Sequence, residues 1–460
     1  MELLNFIDGK FVASHSANIF SKYSPFDGSL LAHVTSSDSL DVVFALQAAK
    51  KARVDWCTQP FEIRSKLLND LADFLAKNIE EFSFLEALYQ GLPQAFSKEN
   101  NVQIAIRNLR ETASSNPMPH EKSTLLEPTG IIGIVTPWCL SLRLVVERLA
   151  PAIAAGNVCI LKASELSPIT SLILAKAFIA VQAPPGIVGI LNGNWEVAKV
   201  IAGHPSIHAL SGVGRSATLR SLNESAAVNF KKIQLSGGAK NSCIVLPDFD
   251  FQSRISELLE SFLIGQGQLC WNSHRIFIPE DNRDQFIEIA KSYLSSLSPL
   301  ESPSGHGVWT PLISRELISQ VQNHIVEARK DQGKLVFGDA IYDGEGFYFQ
   351  TTLVKDLSRC SVLQQEELHG PLIIVDSYKY LHEVPKWANN NDYGHSAVIW
   401  GAEEKATRLA SKLDCGRAGI NCWGVKDWRP YFGHKLTSFG NIDNSWSGSF
   451  YSDVKTLSFS

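Results

Sequence analysis

Apolar residues along this chain change their spacing in a readable way. Up to Ser37 short apolar runs alternate with turns, as in FIDGKF and SPFDGSLLAHV. The Asp-Gly pairs at 8–9 and 27–28 predict hairpins or tight turns. A helix is expected from near Asp38. Asp38 and Asp41 supply acids to its first turn, and Val42, Val43, Leu46, Ala49 and Ala52 form its apolar face. Helical spacing continues from about Phe61, over Ile79 to Tyr89, and in a long run from Glu99 to about Thr112. A polar break, ASSNPMPHEKST, follows.

From Gly130 the pattern becomes strand then helix, repeated. GIIGIVTP at 130–137 is a continuous apolar run suited to a buried parallel strand. Further strands are predicted at Val158 to Leu161, in IVGIL after Pro184-Pro185-Gly186, at Ile207 to Leu210 and at Lys232 to Leu235. This rhythm predicts a doubly wound α/β domain, whose strand ends at 137–139, 162, 192–194 and 211–214 are the places for ligands. No GxGxxG is present. A second α/β segment starts at Ser242, with strands at CIVLP, Ile276 to Ile278, LIIV, His395 to Trp400 and Ala418 to Cys422. The tail WSGSFYSDVKTLSFS alternates like a strand with no near partner in sequence, a pattern that often completes a sheet in another subunit.

Composition narrows the picture. With 460 residues, 45% hydrophobic and 19% charged, the chain can bury large cores in two or three domains. A formal charge of -5 with scattered Lys and Arg gives no footprint for nucleic acid. No apolar stretch reaches a membrane span. The eight cysteines form no CxxC pair and no zinc-site spacing, which predicts no structural metal and a reducing, cytoplasmic setting.

Chemistry concentrates at GQGQLCWNSHR, residues 265–275. Glycines and polar groups before an apolar run suit a loop that presents a side chain to a cleft, and a thiolate at Cys270 would attack a carbonyl well. A free cysteine is otherwise a small buried hydrophobe. The surrounding motifs decide between these. VTPW at 135–138, LKASE at 161–165, SG at 211, SGGAKN at 236, GQLC at 267, EELHGP at 366, NNDYG at 390 and PYFGHKLTSFG at 430 stand in an order that resembles the aldehyde dehydrogenase superfamily from end to end.

That resemblance implies an aldehyde dehydrogenase-like α/β fold. A Rossmann-type nucleotide-binding domain would cover 1–112 and 128–240, a catalytic domain 241–440, and a β oligomerisation arm 113–127 and 441–460. It implies oxidation of an aldehyde through a cysteine thiohemiacetal and thioester. NAD would be the cofactor, with NADP the alternative, and the chain a homodimer or homotetramer. Cys270 falls on the nucleophile, Lys162 and Glu165 on the cofactor-ribose side, Glu367 on the acid that holds the nicotinamide ribose, and Trp138 on the junction between the two sites. Gly212 and Val213 fall on the cofactor loop.

Several positions depart from the family pattern. Cys139 stands where the oxyanion amide is expected; losing such a donor costs about 2.7–4 kcal/mol. Ser236 replaces the general-base glutamate, and a serine is no base near neutral pH. Val213 replaces a phosphate-binding serine, Ala217 a glycine, and Phe432 one glycine of a pair. His369 replaces a phenylalanine beside the nicotinamide, and with His274 it is a candidate substitute base. These departures leave three readings open: a working dehydrogenase, an impaired enzyme that keeps the fold, and an enzyme that acylates coenzyme A and needs no hydrolytic base. The run Asn421-Cys422-Trp423 before Lys426 resembles the muconate-semialdehyde subgroup, which implies a carboxylated semialdehyde gripped by Arg107, Lys426 and Arg429.

Overall fold

The fully apolar runs become central strands because a strand covered on both faces needs apolar side chains at every position. Ile131–Val135 and Val158–Lys162 are buried throughout. The structure, a computed structural model, describes residues 1–116, 123–342, 344–424, 433–440 and 450–459. Its first sheet has eight strands. Ile131–Val135 lies between Ala209–Val213 on one side and Val158–Lys162 on the other, all parallel. Lys232–Ser236 and Val188–Leu191 extend the parallel core outward. The hairpin Asn5–Ile7 and Lys10–Val12 closes one edge, turning at Asp8 and Gly9, both with positive φ. Ser438–Phe439 closes the other edge, so a segment expected in the second domain completes the first sheet.

The second sheet has seven strands, in the order Lys334–Phe337, Thr352–Lys355, Leu372–Tyr378, Ser273–Pro279, Asn241–Val245, Ser396–Trp400 and Arg417–Ile420. All neighbours are parallel except the first pair. In the first sheet the strand order reverses beside Ile131–Val135. The chain winds one way to 158 and 188, then returns to 209 and 232. Ligand crevices open at such switch points, beyond the carboxyl ends of the strands. Here those ends lead into Trp138-Cys139 and into Val213-Gly214-Arg215.

The tail strand finds a distant partner in its own chain: Ser452–Thr456 pairs antiparallel with Thr124–Pro128 in a two-stranded ribbon. One expectation changes. The long helix from Glu99 is broken. Gln94–Ser97 is followed by a π-helical turn, Lys98–Val102, and then by Gln103–Ser114. The wider turn carries Asn101 inward, where its side chain is fully buried and bonded.

Asn101 belongs to a polar cluster around Glu86. Glu86 accepts hydrogen bonds from Asn101 Nδ2 at 2.8 Å, Ser141 Oγ at 3.1 Å and Thr170 Oγ1 at 2.6 Å, and from Gln90 Nε2. Burial pushes its carboxyl pKa above the ordinary range despite these donors. The same side chains cap the helix Ser141–Ala154. Gln90 Oε1 accepts the Leu140 N–H at 3.0 Å, and Asn101 Oδ1 accepts the Arg143 N–H at 2.8 Å. Orphan N–H groups of the first turn are thus satisfied by the N-terminal helices. Replacing Glu86 with Leu should leave several buried donors without an acceptor and cost about 3 kcal/mol. A thermal midpoint unchanged from the parent protein would contradict this.

Candidate active site

The loop that carries Cys270 is held by its backbone. Gly265, Gln266 and Gly267 all have positive φ. A Cβ on Gly267 would stand 2.2 Å from the Gly370 carbonyl oxygen, so this close approach requires glycine. Gln268 Nε2 donates to the Gly265 carbonyl at 2.7 Å, and its Oε1 accepts the Ile313 N–H at 2.9 Å. Asn272 Oδ1 accepts the Leu269 N–H at 2.8 Å, and Asn241 Nδ2 donates to the Cys270 carbonyl at 2.8 Å. With the backbone tied on both sides, the thiol is the free end of the residue.

Cys270 lines a cavity of about 160 Å³. Trp138, Cys139, Val213 and Ser236 reach it from the first sheet, and Glu367 and His369 from the loop before Leu372–Tyr378. The structure therefore gathers seven of the residues singled out in the sequence around one space. Lys162 and Glu165 lie off it. They pair with each other at 2.5 Å at the end of the strand Val158–Lys162. Gly212 also lies off the cavity, and a Cβ there would meet Leu235 at 2.8 Å and Leu222 at 3.3 Å. Its bareness serves sheet and helix packing. Arg107 is exposed on the helix Gln103–Ser114 and does not line the cavity. His274 is buried in its strand with Nε2 2.8 Å from the Gly267 carbonyl. Burial lowers its pKa to about 3, and it too is absent from the cavity wall. Lys426, Arg429 and Phe432 lie outside the described residues.

Sequence reasoning missed the charged wall. Arg143, Glu147, Arg148, Arg215 and Arg417 line the same cavity. Arg143 Nε donates to Glu147 Oε1 at 2.7 Å, and its guanidinium lies 5.6 Å from the Trp271 ring centroid. The signal was present: Arg143 and Glu147, four apart in the run LRLVVERLAP, lie on one helix face, with Arg148 next to them. Four arginines against two glutamates make the lining cationic in an acidic chain.

Burial raises the Cys270 thiol to about 11. Arg143 opposes that rise, while Glu147 and Glu367 add to it. Cys139 is raised further, by burial and then by Cys270 itself. Burial alone would raise Glu367, yet its contacts with His369, the Ser216 N–H and Arg215 bring it below the ordinary carboxylate range. His369 Nε2 stands 3.6 Å from Glu367 Oε1. His395 falls to about 4 through burial and the charge of Arg417, so it is neutral at pH 7.

Residues 11–457 match the aldehyde dehydrogenase family, and the chain belongs to it. It is 30% identical to the 2-aminomuconic semialdehyde dehydrogenase of Danio rerio, covering 99% of this chain and 97% of the relative. The human enzyme of that name is 28% identical over the same shares. The NAD+ complex of an aldehyde dehydrogenase from Bacillus cereus superposes with a TM-score of 0.92 at 25% identity, covering 99% of this chain and 96% of that one. An E. coli NADP-dependent enzyme shares the fold at a TM-score of 0.91 and 23% identity, covering 99% of this chain and 98% of that one. Family membership supports an oxidoreductase of aldehydes that uses a nicotinamide dinucleotide. The residues present fit such a group. Ser216 Oγ is buried without a hydrogen-bond partner beside Arg215, offering a donor to an anionic ligand at the switch point. Among the described residues no helix is long and apolar enough to cross a membrane.

A thiol at about 11 alkylates slowly at neutral pH. Iodoacetamide labelling of Cys270, followed by peptide mass mapping, should accelerate about tenfold per pH unit from pH 7 to 10. A flat profile would contradict a half-buried, protonated thiol.

Proposed function

We propose that the protein oxidises an aldehyde, in particular a semialdehyde that carries a carboxylate, with Cys270 as the nucleophile. The observation that carries this reading is Cys270, on a pinned loop, facing Trp138 and Glu367 across a cavity at the strand-order switch. The Cys270 sulfur bonds to the aldehyde carbon as its proton passes to solvent, and the carbonyl electron pair moves to the oxygen, whose negative charge lies within a cationic wall. The backbone N–H of Cys270 is one donor to that oxygen. Cys139, a weak donor, supplies little in the place of the expected amide. A nicotinamide dinucleotide, when bound, supplies the hydride acceptor. Lys162 and Glu165 would hold its ribose, Glu367 the nicotinamide ribose, and Trp138 would pack at the junction. NAD is the expected form, with NADP the alternative. The excess of arginine suits a carboxylated substrate, as do the semialdehydes named for the relatives.

Cys139 and Ser236 favour a second reading, in which acylation proceeds but hydrolysis is impaired or gives way to transfer to coenzyme A. The ribbon of Thr124–Pro128 and Ser452–Thr456 supports a homo-oligomer, since a two-stranded ribbon is marginal alone and its outer edge suits a neighbour's sheet. A cytoplasmic setting suits eight free cysteines. Mixing the protein with NAD+ and glutarate semialdehyde should give a burst of NADH that Cys270→Ala abolishes. Calorimetry should show NAD+ binding, weakened in Lys162→Ala. Absence of both burst and binding would reject the reading.

A further inference from the structure

The loss of a base at position 236 leaves the acyl group on Cys270 without a group to activate water. Two carboxylates line the cavity among the described residues, Glu147 and Glu367. Glu367 is engaged by the Ser216 N–H and by His369. Glu147 is placed differently. It rises from the helix Ser141–Ala154, one turn beyond Arg143, and both side chains face the space that Cys270 faces. Arg143 Nε fixes Glu147 Oε1 at 2.7 Å, while Oε2 stands 3.6 Å from Arg148 Nη1, beyond hydrogen-bond distance, and so keeps lone pairs free to accept from a water. The Glu147 side chain is 17% exposed, so water reaches it. Arg143 is only 8% exposed and its Nη1 is buried without a partner. Its guanidinium packs on Trp271, the neighbour of Cys270. Among charged groups, Cys270 senses Arg143 first and Glu147 second.

We propose that Glu147 is the base that clears the acyl group from Cys270, and that Arg143 is the positioning residue that aims it. Glu147 takes a proton from water as the water oxygen bonds to the thioester carbon. The tetrahedral carbon then expels Cys270 sulfur as a thiolate, facing the Arg143 cation, and the acid leaves. The proton on Glu147 returns to the thiolate or to solvent. No oxidant is needed in this half-reaction. The catalytic groups have thus moved from the strand end at Ser236 to a helix on the opposite wall.

This inference rests on the reading of Cys270 as the nucleophile, and p-nitrophenyl acetate tests it without cofactor or aldehyde. The ester acetylates Cys270 directly and releases nitrophenolate. Glu147→Gln should keep the nitrophenolate burst, accumulate acetylated Cys270 by intact mass, and clear it at least tenfold more slowly. Glu147→Asp should recover part of the clearance, which a merely structural role would not predict. Clearance in the unaltered protein should also be slower in D2O. Equal clearance in Glu147→Gln, or no solvent isotope effect, overturns this inference alone. No acetyl adduct on Cys270 in the unaltered protein overturns the nucleophile reading, and this inference with it.

Discussion

The buried carboxyl of Glu86 is the constraint on which the site depends. Its donors come from three separate parts of the chain, the N-terminal helices, the start of the helix Ser141–Ala154, and Thr170. A buried polar cluster of this kind either closes completely or costs several kcal/mol, so its geometry is narrowly set. What it sets is the entry to Ser141–Ala154. Leu140 has a φ of 46°, and the turn that it makes throws Cys139 and Trp138 toward the cavity. The same helix carries Arg143 and Glu147 one turn apart on its inner face. Residues away from the cavity thereby fix those that line it.

The cavity's electrostatics follow from burial against charge. Desolvation in the cavity makes the Cys270 thiol hard to ionise, and Glu147 and Glu367 make it harder. Arg143 acts in the other direction. The family pattern would have used a neutral amide and a carboxylate from the strand ends. In the reading proposed above Cys139 and Ser236 stand in those places, while the facing helix carries the paired charges of Arg143 and Glu147. An ion pair within a small, partly dry space is costly unless its geometry is good. The 2.7 Å contact and the stacking on Trp271 supply that geometry.

Much of the fold was legible in the sequence. Strands at 131–135, 158–162, 188–191, 209–213 and 232–236 lie where short runs, the first three largely apolar, stand between turns and helices. The Cys270 loop was legible because glycines and polar groups stand before an apolar run there. The π-helical turn was not, because what widens it is Asn101 bonding to Glu86 from another helix. The partner of the tail strand lies more than 320 residues away, beyond any local pattern. The charged wall was half visible. Arg143 and Glu147 share a face by spacing, but only the fold shows that this face meets Cys270, while Arg107, an equally plausible cation, points to solvent.

The central claim is that this rearranged cavity still carries out oxidation at an aldehyde carbon. The most direct measurement is a single turnover with NAD+ and glutarate semialdehyde bearing deuterium at the aldehyde carbon. The account predicts deuterium in the reduced dinucleotide and the acyl group on Cys270 before release. Unreduced dinucleotide with an unmodified Cys270, for this semialdehyde and for deuterated propanal alike, would contradict it.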